Sequence, residues 1–286
     1  MTLSIARAAG VHVTGAMEAQ VFRGAGLPFE AVAVPELVLA HGEALVAVEL
    51  ATICGSDIHT VNGDRTGSLP LVLGHEQVGR VVALGPGRAP RSVDGIALAL
   101  GQRVVWGVAV DCGRCRYCHA GLPQKCVSLV KYGHARMSRG WELSGGFATH
   151  VHVRARTPVV VVDDEASAEL LAPASCSTAT VMAALDAARR IRPLDGAVVA
   201  VSGCGMLGIT AVAAAVAEGA TVVATDPDRE RRASAQEFGA VAVGDGTADG
   251  LAQALRRVPA ARSGYQIAIE VSGSPSAVQS LLAAGD

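Results

Sequence analysis

The chain has few aromatic residues, few charges and no long apolar run. Only 3% of its 286 residues are aromatic and 17% are charged, while 50% are hydrophobic. An interior of this composition has to be built from Val, Ala, Leu and Ile, with glycine at the turns, which suits parallel α/β packing. A net charge of −2 supplies no basic field of the kind that holds nucleic acid or an anionic bilayer, so neither partner is expected. The most apolar stretches, Gly196 to Val201 and Ile209 to Ala217, are interrupted well short of the ~20 residues a transmembrane helix needs. Met1 to Ala16 lacks a sustained apolar core, so no secretory signal is expected there; Met17 opens a more strand-like stretch and is an alternative start. Seven cysteines is an odd number, and four of them crowd into Cys112 to Cys126. That spacing favours reduced thiolates and a cytoplasmic home over disulfides.

The length is generous for one core and points to two domains. From Met17 to Val162 short β-rich runs alternate with glycine: Ala44 to Leu50, Gln77 to Leu84, Gln102 to Val108 and Gly146 to Val153. Many short strands with turn signals read as a β-barrel-like domain. From Asp163 to Asp286 Ala-rich helices alternate with Val-rich strands. The expected order is helix Glu165 to Arg190, strand Ala197 to Ser202, helix Met206 to Glu218, strand Thr221 to Thr225 and helix Asp228 to Phe238. Such alternation implies βαβ units around a parallel sheet.

Within that second half, Val198 to Gly208 is a strand running into Gly203-Cys-Gly205-Met206-Leu207-Gly208 at the start of a helix. Gly203 permits the tight turn, Gly205 lets the backbone approach a pyrophosphate, and Gly208 allows the helix to pack closely on the strand. Asp226 stands 18 positions after Gly208, at the end of the next strand, where a carboxylate binds the adenosine ribose and repels a 2′-phosphate. NAD is therefore expected over NADP, although Arg229 offers a partner to a 2′-phosphate. The bland alternative is a glycine turn serving another ligand, with Asp226 capping the next helix.

Cys112-x2-Cys115-x2-Cys118-x7-Cys126 can wrap four thiolates around one ion. A closed tetrahedral zinc site follows, structural because no coordination position is open, with an iron-sulfur centre as the competing reading. Other ligand-type residues are scattered: Cys54 in Cys54-Gly-Ser56-Asp-Ile-His59, His75 and Glu76 after Gly74, and Cys176 ahead of Thr180.

Taken together, the Cys54 to His59 run, Gly74-His-Glu-x2-Gly79-x5-Gly85, the four-cysteine lobe, Gly145-Gly-Phe-Ala148 and the glycine fingerprint resemble the zinc-containing medium-chain alcohol dehydrogenases. The resemblance implies an α/β protein with a GroES-like catalytic domain, a doubly wound Rossmann coenzyme domain and an active site in the cleft between them. It implies that Cys54, His75 and Cys176 bind a catalytic zinc, with Glu76 as neighbour or alternate ligand, which makes two zinc ions per chain. Three protein ligands leave a position where zinc acts as a Lewis acid on an alcohol or carbonyl oxygen while hydride passes to or from NAD. Ser56 and His59 match the family's proton relay, and Thr180 matches a residue touching the nicotinamide. A homo-oligomer, dimer or tetramer, is expected.

Two features depart from the pattern. The stretch Gly87 to Leu100 looks locally inserted, and the chain stops at Asp286 where relatives continue through more sheet, so the Rossmann domain is expected to be incomplete. The residues do not identify the alcohol. Lys131 to Arg139 concentrates positive groups and faintly resembles a subgroup linked to phosphonate metabolism; a solvated basic loop is the preferred reading, and polyol, amino-alcohol and hydroxyalkylphosphonate substrates stay open. Outside enzymes, a zinc-stabilised NAD-binding protein without turnover is the alternative.

Overall fold

The computed structural model describes residues 10–262 and 264–284; Met1 and Asp286 lie outside them. The chain divides into two compact units, Met1–Cys176 and Ser177–Asp286.

The first unit is mostly antiparallel sheet. Its strands are β1 (Val11–Thr14), β2 (Glu18–Phe22), β3 (Glu30–Ala33), β4 (Glu36–Leu39), β5 (Ala44–Thr52) and β6 (Leu71–Val72). These are followed by β7 (Glu76–Leu84), β8 (Arg103–Trp106), β9 (Ala109–Val110), β10 (Val130–Lys131), β11 (His150–Val153) and β12 (Val159–Val161). Five of them form a sheet in the order β11-β5-β7-β8-β12, three form β3-β2-β6, and β1 pairs with β4. The strand β1 thus pairs ahead of Met17. Their inward faces close an aliphatic core of Val46, Val81, Val104, Val151 and Val159 around Trp106 and Tyr132. Trp106, Tyr132 and Trp141, three of the nine aromatics, lie there, where large rings bury much area. A short helix, α1 (Gly55–Val61), follows β5, and a single turn, α2 (Arg116–His119), lies in the cysteine loop that β9 and β10 close off by pairing.

Residues 163–176, expected with the nucleotide-binding half, belong to the first unit. The reason is a buried cation. Arg103, 4% exposed, pairs with Glu49 at 2.7 and 3.0 Å and donates to the carbonyls of Asp163 and Asp164 at 3.1 and 3.2 Å and to that of Ala166. A guanidinium taken out of water needs all these acceptors, and the segment that supplies them is pinned to the sheet. The single helix expected over Glu165 to Arg190 is three pieces: α3 (Ala168–Leu171), a 3-10 turn Ala172–Ser175, and α4 (Ser177–Arg189). Pro173 lacks the N–H that would continue a helical ladder, and Cys176 sits in the break rather than on the helix.

The second unit is the parallel sheet β15-β14-β13-β16, formed by β13 (Val198–Ser202), β14 (Thr221–Thr225), β15 (Ala242–Gly244) and β16 (Ile267–Glu270). Its helices are α4, α5 (Met206–Ala217), α6 (Arg229–Glu237), α7 (Ala248–Arg256) and α8 (Pro275–Ala284). Strand alternation assigns the layers. Val199 and Val201 pack with Val181 and Leu185 of α4 and Ala211, Val212 and Ala215 of α5. Val198 and Ala200 face the other way, onto Leu251, Ala254 and Leu255 of α7 and Leu281 of α8. Helices on both faces of a parallel sheet make the doubly wound arrangement expected from the alternating pattern. Among the described residues no single helix is long and apolar enough to cross a membrane.

Candidate metal centres and nucleotide site

Cys54 ends the extended segment after β5 and is the N-cap of α1. Its backbone N–H donates to Oδ2 of Asp57 at 3.0 Å, and the Gly74 N–H donates to Oδ1 of the same carboxylate at 3.3 Å. Asp57 is 1% exposed and stands 3.6 Å from Nδ1 of His75, so one buried anion ties the Cys54 turn to the Gly74-His75 turn. Gly74 has φ +89, and a Cβ there would meet Phe147 at 2.6 Å; only glycine lets the chain turn at this point. The Ser175 hydroxyl donates to the His75 carbonyl at 3.1 Å and so anchors the 3-10 turn that presents Cys176. Glu76 accepts from the Thr52 hydroxyl at 2.8 Å.

The result is a cluster in which ligand atoms of Cys54, His75, Glu76 and Cys176 lie within 4.8 Å of one another. The Cys54 and Cys176 sulfurs are 4.0 Å apart. That is far beyond disulfide length and close to the ~3.8 Å that separates two thiolates on one tetrahedral zinc with Zn–S bonds of ~2.3 Å. The donor set therefore fits a zinc ion. The Cys176 thiol and His75 push the Cys54 thiol down to about 2, while the same contact and burial push Cys176 up. Burial works against a charged His75, but Asp57 and Cys54 outweigh it and raise the imidazole to about 9. Burial raises Glu76. The protons so held on His75 and Cys176 would have to leave for these side chains to act as ligands, so metal binding here would release protons.

Ser56 is brought to the cluster, its Oγ 3.4 Å from Nε2 of His75. His59 lies on the exposed face of α1, with Nδ1 3.1 Å from Asp64, and among the described residues no hydrogen bond joins it to Ser56. Thr180 is exposed on α4 in the second unit. Two residues of the cluster escaped the sequence reading. Asp57 was masked by its ligand-rich neighbours, although an acid at the third position of a helix signals a cap. His134, inside the segment read as a solvated basic loop, packs against His75 with ring centroids 4.6 Å apart and the planes tilted by 38°. Burial and the neighbouring His75 push it down to about 4, and Tyr132 beside it is fully buried. That loop is solvated only in part.

Cys112, Cys115, Cys118 and Cys126 also converge within 4.8 Å. The Cys115 and Cys118 sulfurs are 3.5 Å apart, and the backbone N–H groups of Cys112 and Ser128 donate to Sγ of Cys126 at 3.3 and 3.4 Å. Backbone N–H groups of Cys118 and Val127 lower Cys115 to about 6, while burial and the contacts with Cys115 and Asp111 push Cys118 up to about 12. Asp111 accepts from Cys118, from Gly113 and from Arg156, closing the loop on the sheet.

In the second unit β13 is buried throughout and ends in Gly203, φ +94, where a Cβ would meet the Ser272 backbone at 2.7 Å. A Cβ on Gly208 would lie 1.8 Å from the Gly203 carbonyl, so helix and turn are in backbone contact. Gly205 caps α5 and faces open space, with Met206 and Leu207 opening the helix behind it. This is the cradle a pyrophosphate needs. Beside it a cavity of about 410 Å³ is lined by Gly203, Gly205, Asp226, Arg231, Thr247 and Ser274, among others. Asp226 is 4% exposed and accepts from the N–H groups of Cys204 and Asp228, both at 2.8 Å. Arg229 begins α6 outside this lining; the arginine that reaches the cavity is Arg231.

Residues 40–164 match the alcohol dehydrogenase GroES-like domain, and residues 207–285 match the zinc-binding dehydrogenase domain. L-threonine 3-dehydrogenase of Enterobacter sp. (strain 638) is 31% identical over 258 residues, covering 87% of this chain and 68% of its own length. The chain belongs to the zinc-dependent medium-chain dehydrogenase family. Sorbitol dehydrogenase of Bacillus subtilis is 31% identical over 265 residues, covering 90% of this chain and 68% of its own length. Among solved structures, an alcohol dehydrogenase of Thermotoga maritima superposes with a TM-score of 0.84 at 28% identity over 95% of this chain and 74% of its own. A zinc-binding dehydrogenase of Sinorhizobium meliloti, solved with NADP, gives 0.80 at 27% identity over 96% and 75%. This medium-chain dehydrogenase is thus a zinc-dependent oxidoreductase that moves hydride between an alcohol and a nicotinamide cofactor.

Proposed function

We propose that the chain is an NAD-preferring dehydrogenase of small polar alcohols that carries two zinc ions, one catalytic and one structural. The observation that carries this reading is the convergence of Cys54, His75, Glu76 and Cys176 from three separate stretches of chain. Relatives named for L-threonine and sorbitol support a polar substrate, and His134 on His75 adds a neutral hydrogen-bonding group beside the cluster.

Zinc held by Cys54, His75 and Cys176 supplies Lewis acidity toward an alcohol or carbonyl oxygen. The chain's own residues do the rest. Asp57 holds His75 in orientation. Glu76, tethered by Thr52, is a neighbouring carboxylate able to exchange into the ligand set. Ser56, whose hydroxyl donates and accepts at once, takes the proton that the alcohol gives up, and exposed His59, not hydrogen-bonded to Ser56, receives it by way of solvent and releases it to bulk water. The amides of Gly205, Met206 and Leu207 hold the pyrophosphate, Asp226 binds the adenosine ribose, and Thr180 touches the nicotinamide. The thiolate-rich composition supports a cytoplasmic home, and the working form is a homodimer or homotetramer.

Zinc content of the purified protein, followed by an NADH-absorbance screen of alcohols and carbonyls with NAD and NADP in parallel, tests the proposal. Two ions per chain and a preference for NAD are expected; one ion in a well-folded preparation, or equal efficiency with both cofactors, overturns the corresponding part. His59→Gln should slow alcohol oxidation at neutral pH by ~10-fold or more, with partial recovery at higher pH, and an unchanged rate at every pH removes His59 from the relay.

A further inference from the structure

Thr52 is the last residue of β5 and Glu76 the first of β7. The two stand directly opposite each other in the β5-β7 ladder, which brings their side chains together on one face of the sheet. There the Thr52 hydroxyl donates to Oε2 of Glu76 at 2.8 Å. Branching at Cβ limits the rotamers of Thr52, and the ladder fixes its backbone, so the donor cannot follow a carboxylate that turns away. Glu76 is 6% exposed, yet among the described residues no lysine or arginine pairs with it. A neutral hydroxyl holds a carboxylate less firmly than a guanidinium fork does, and such a bond can be exchanged for another.

The carboxylate has a second place to go. One of its oxygens lies within 4.8 Å of the ligand atoms of Cys54, His75 and Cys176. A carboxylate and a thiolate on one tetrahedral zinc stand ~3.5 Å apart, given Zn–O bonds of ~2.0 Å and Zn–S bonds of ~2.3 Å. Rotation about the side-chain bonds of Glu76 covers a difference of that size. Three protein ligands leave the fourth position to an alcohol oxygen, and a carboxylate that enters it shuts the alcohol out. Where Glu76 rests therefore decides whether the centre is open or closed.

We propose that the Thr52 hydroxyl is a latch that keeps Glu76 out of the metal's fourth position. Thr52 is a positioning residue, acting on the centre only through Glu76. The inference rests on the reading of Cys54, His75 and Cys176 as a zinc site, and it adds that one cross-strand hydrogen bond from a residue outside the ligand set keeps that site open. Losing a hydrogen bond to a charged acceptor shifts an equilibrium by ~10-fold or more, so without the hydroxyl the closed state is favoured by that factor. A closed site holds its ion more tightly and admits an outside ligand less readily. The two effects run in opposite directions, whereas damage to the fold would loosen the ion.

Thr52→Val keeps the shape of the side chain and removes the donor. Two measurements on the zinc-loaded protein read its effect without turnover. One is the chelator concentration that strips the ion of the Cys54 cluster, identified by its absence from Cys54→Ser. The other is calorimetric titration with imidazole, which takes an open position on zinc and finds none in the closed four-cysteine lobe. In Thr52→Val the ion should withstand up to ~10-fold more chelator, while imidazole binds up to ~10-fold more weakly. Thr52→Ser, which keeps the hydroxyl, should restore both values, and in a Glu76→Gln background Thr52→Val should change neither. Should the valine variant fold poorly, Thr52→Ala removes the same donor and should move both values the same way. An ion lost more easily from these variants overturns the proposal, as does an effect that survives Glu76→Gln. Zinc present at the cluster with both values unmoved overturns the latch alone; an unmodified protein without zinc there overturns the zinc reading and the latch with it.

Discussion

Replacing Asp57 by Asn keeps the shape of a side chain that is 1% exposed and removes its charge. In the native chain its two oxygens accept from Cys54 N–H at 3.0 Å and Gly74 N–H at 3.3 Å. The amide can accept only one of these; the other N–H then faces an NH₂ group. A hydrogen bond to a charged acceptor contributes ~1.5–3 kcal/mol, and a buried donor left unmet costs ~1–3 kcal/mol, so a loss of about 3 kcal/mol is expected. For a unit of this size ~1 kcal/mol moves the unfolding midpoint by ~2–4 °C, which gives a drop of roughly 6–12 °C. His75 also loses the anion 3.6 Å from Nδ1. Removing the partner that orients a ligating imidazole weakens metal binding by ~10–100-fold. Calorimetry measures the first effect, and zinc retained against a graded chelator measures the second. One ion per chain should leave at ~10–100-fold less chelator than in the unmodified protein, while the ion in the four-cysteine lobe stays. An Asp57→Asn protein with both ions retained and an unmoved midpoint would refute the role assigned to this carboxylate.

Serine at Cys112 or Cys115 should release one zinc and destabilise the first unit, because a closed site contributes its binding energy to folding. Serine at Cys54 should instead abolish turnover with little change in the unfolding curve, and matching effects from the two lobes would contradict the division of labour. Asp226→Gly should narrow the gap between NAD and NADP, yet it should also lower the efficiency with NAD, because the N–H groups of Cys204 and Asp228 lose their acceptor. A narrowed gap with NAD kinetics untouched would show that the clamp does not matter. Glu43 is pushed up by burial, but His152, the Ala40 N–H and Arg154 outweigh that and hold the carboxyl below its ordinary value. A folded-state value below the unfolded ~4.3 means stability that is present above that pH and lost as pH falls through the folded value. The midpoints of Glu43→Gln and the unmodified protein should therefore converge on acidification below pH ~4, and a difference constant from pH ~3 to 7 would count against the pairing.

Local spacing alone determined a good part of this protein. Four cysteines within fifteen positions can reach one ion without help from the fold, and three glycines at a strand-to-helix junction answer to a steric demand that is itself local. The doubly wound half was legible for the same reason, since a continuous apolar run such as β13, buried at every position, between Ala-rich helical stretches is written into consecutive residues. What depended on contacts between distant stretches was decided only in three dimensions. Cys54 and Cys176 are separated by 122 positions, and nothing in either neighbourhood fixes a sulfur-sulfur distance of 4.0 Å. Arg103 draws in the carbonyls of Asp163, Asp164 and Ala166, a long-range demand of one buried charge. Asp57, His134 and Arg231 owe their places to neighbours packed against them from elsewhere, and the 87–100 segment is held on β12 by the bond from Val93 to Val159. Periodicity and spacing report what a residue does to its own element; burial, charge pairing and cavity shape are properties of the packed chain.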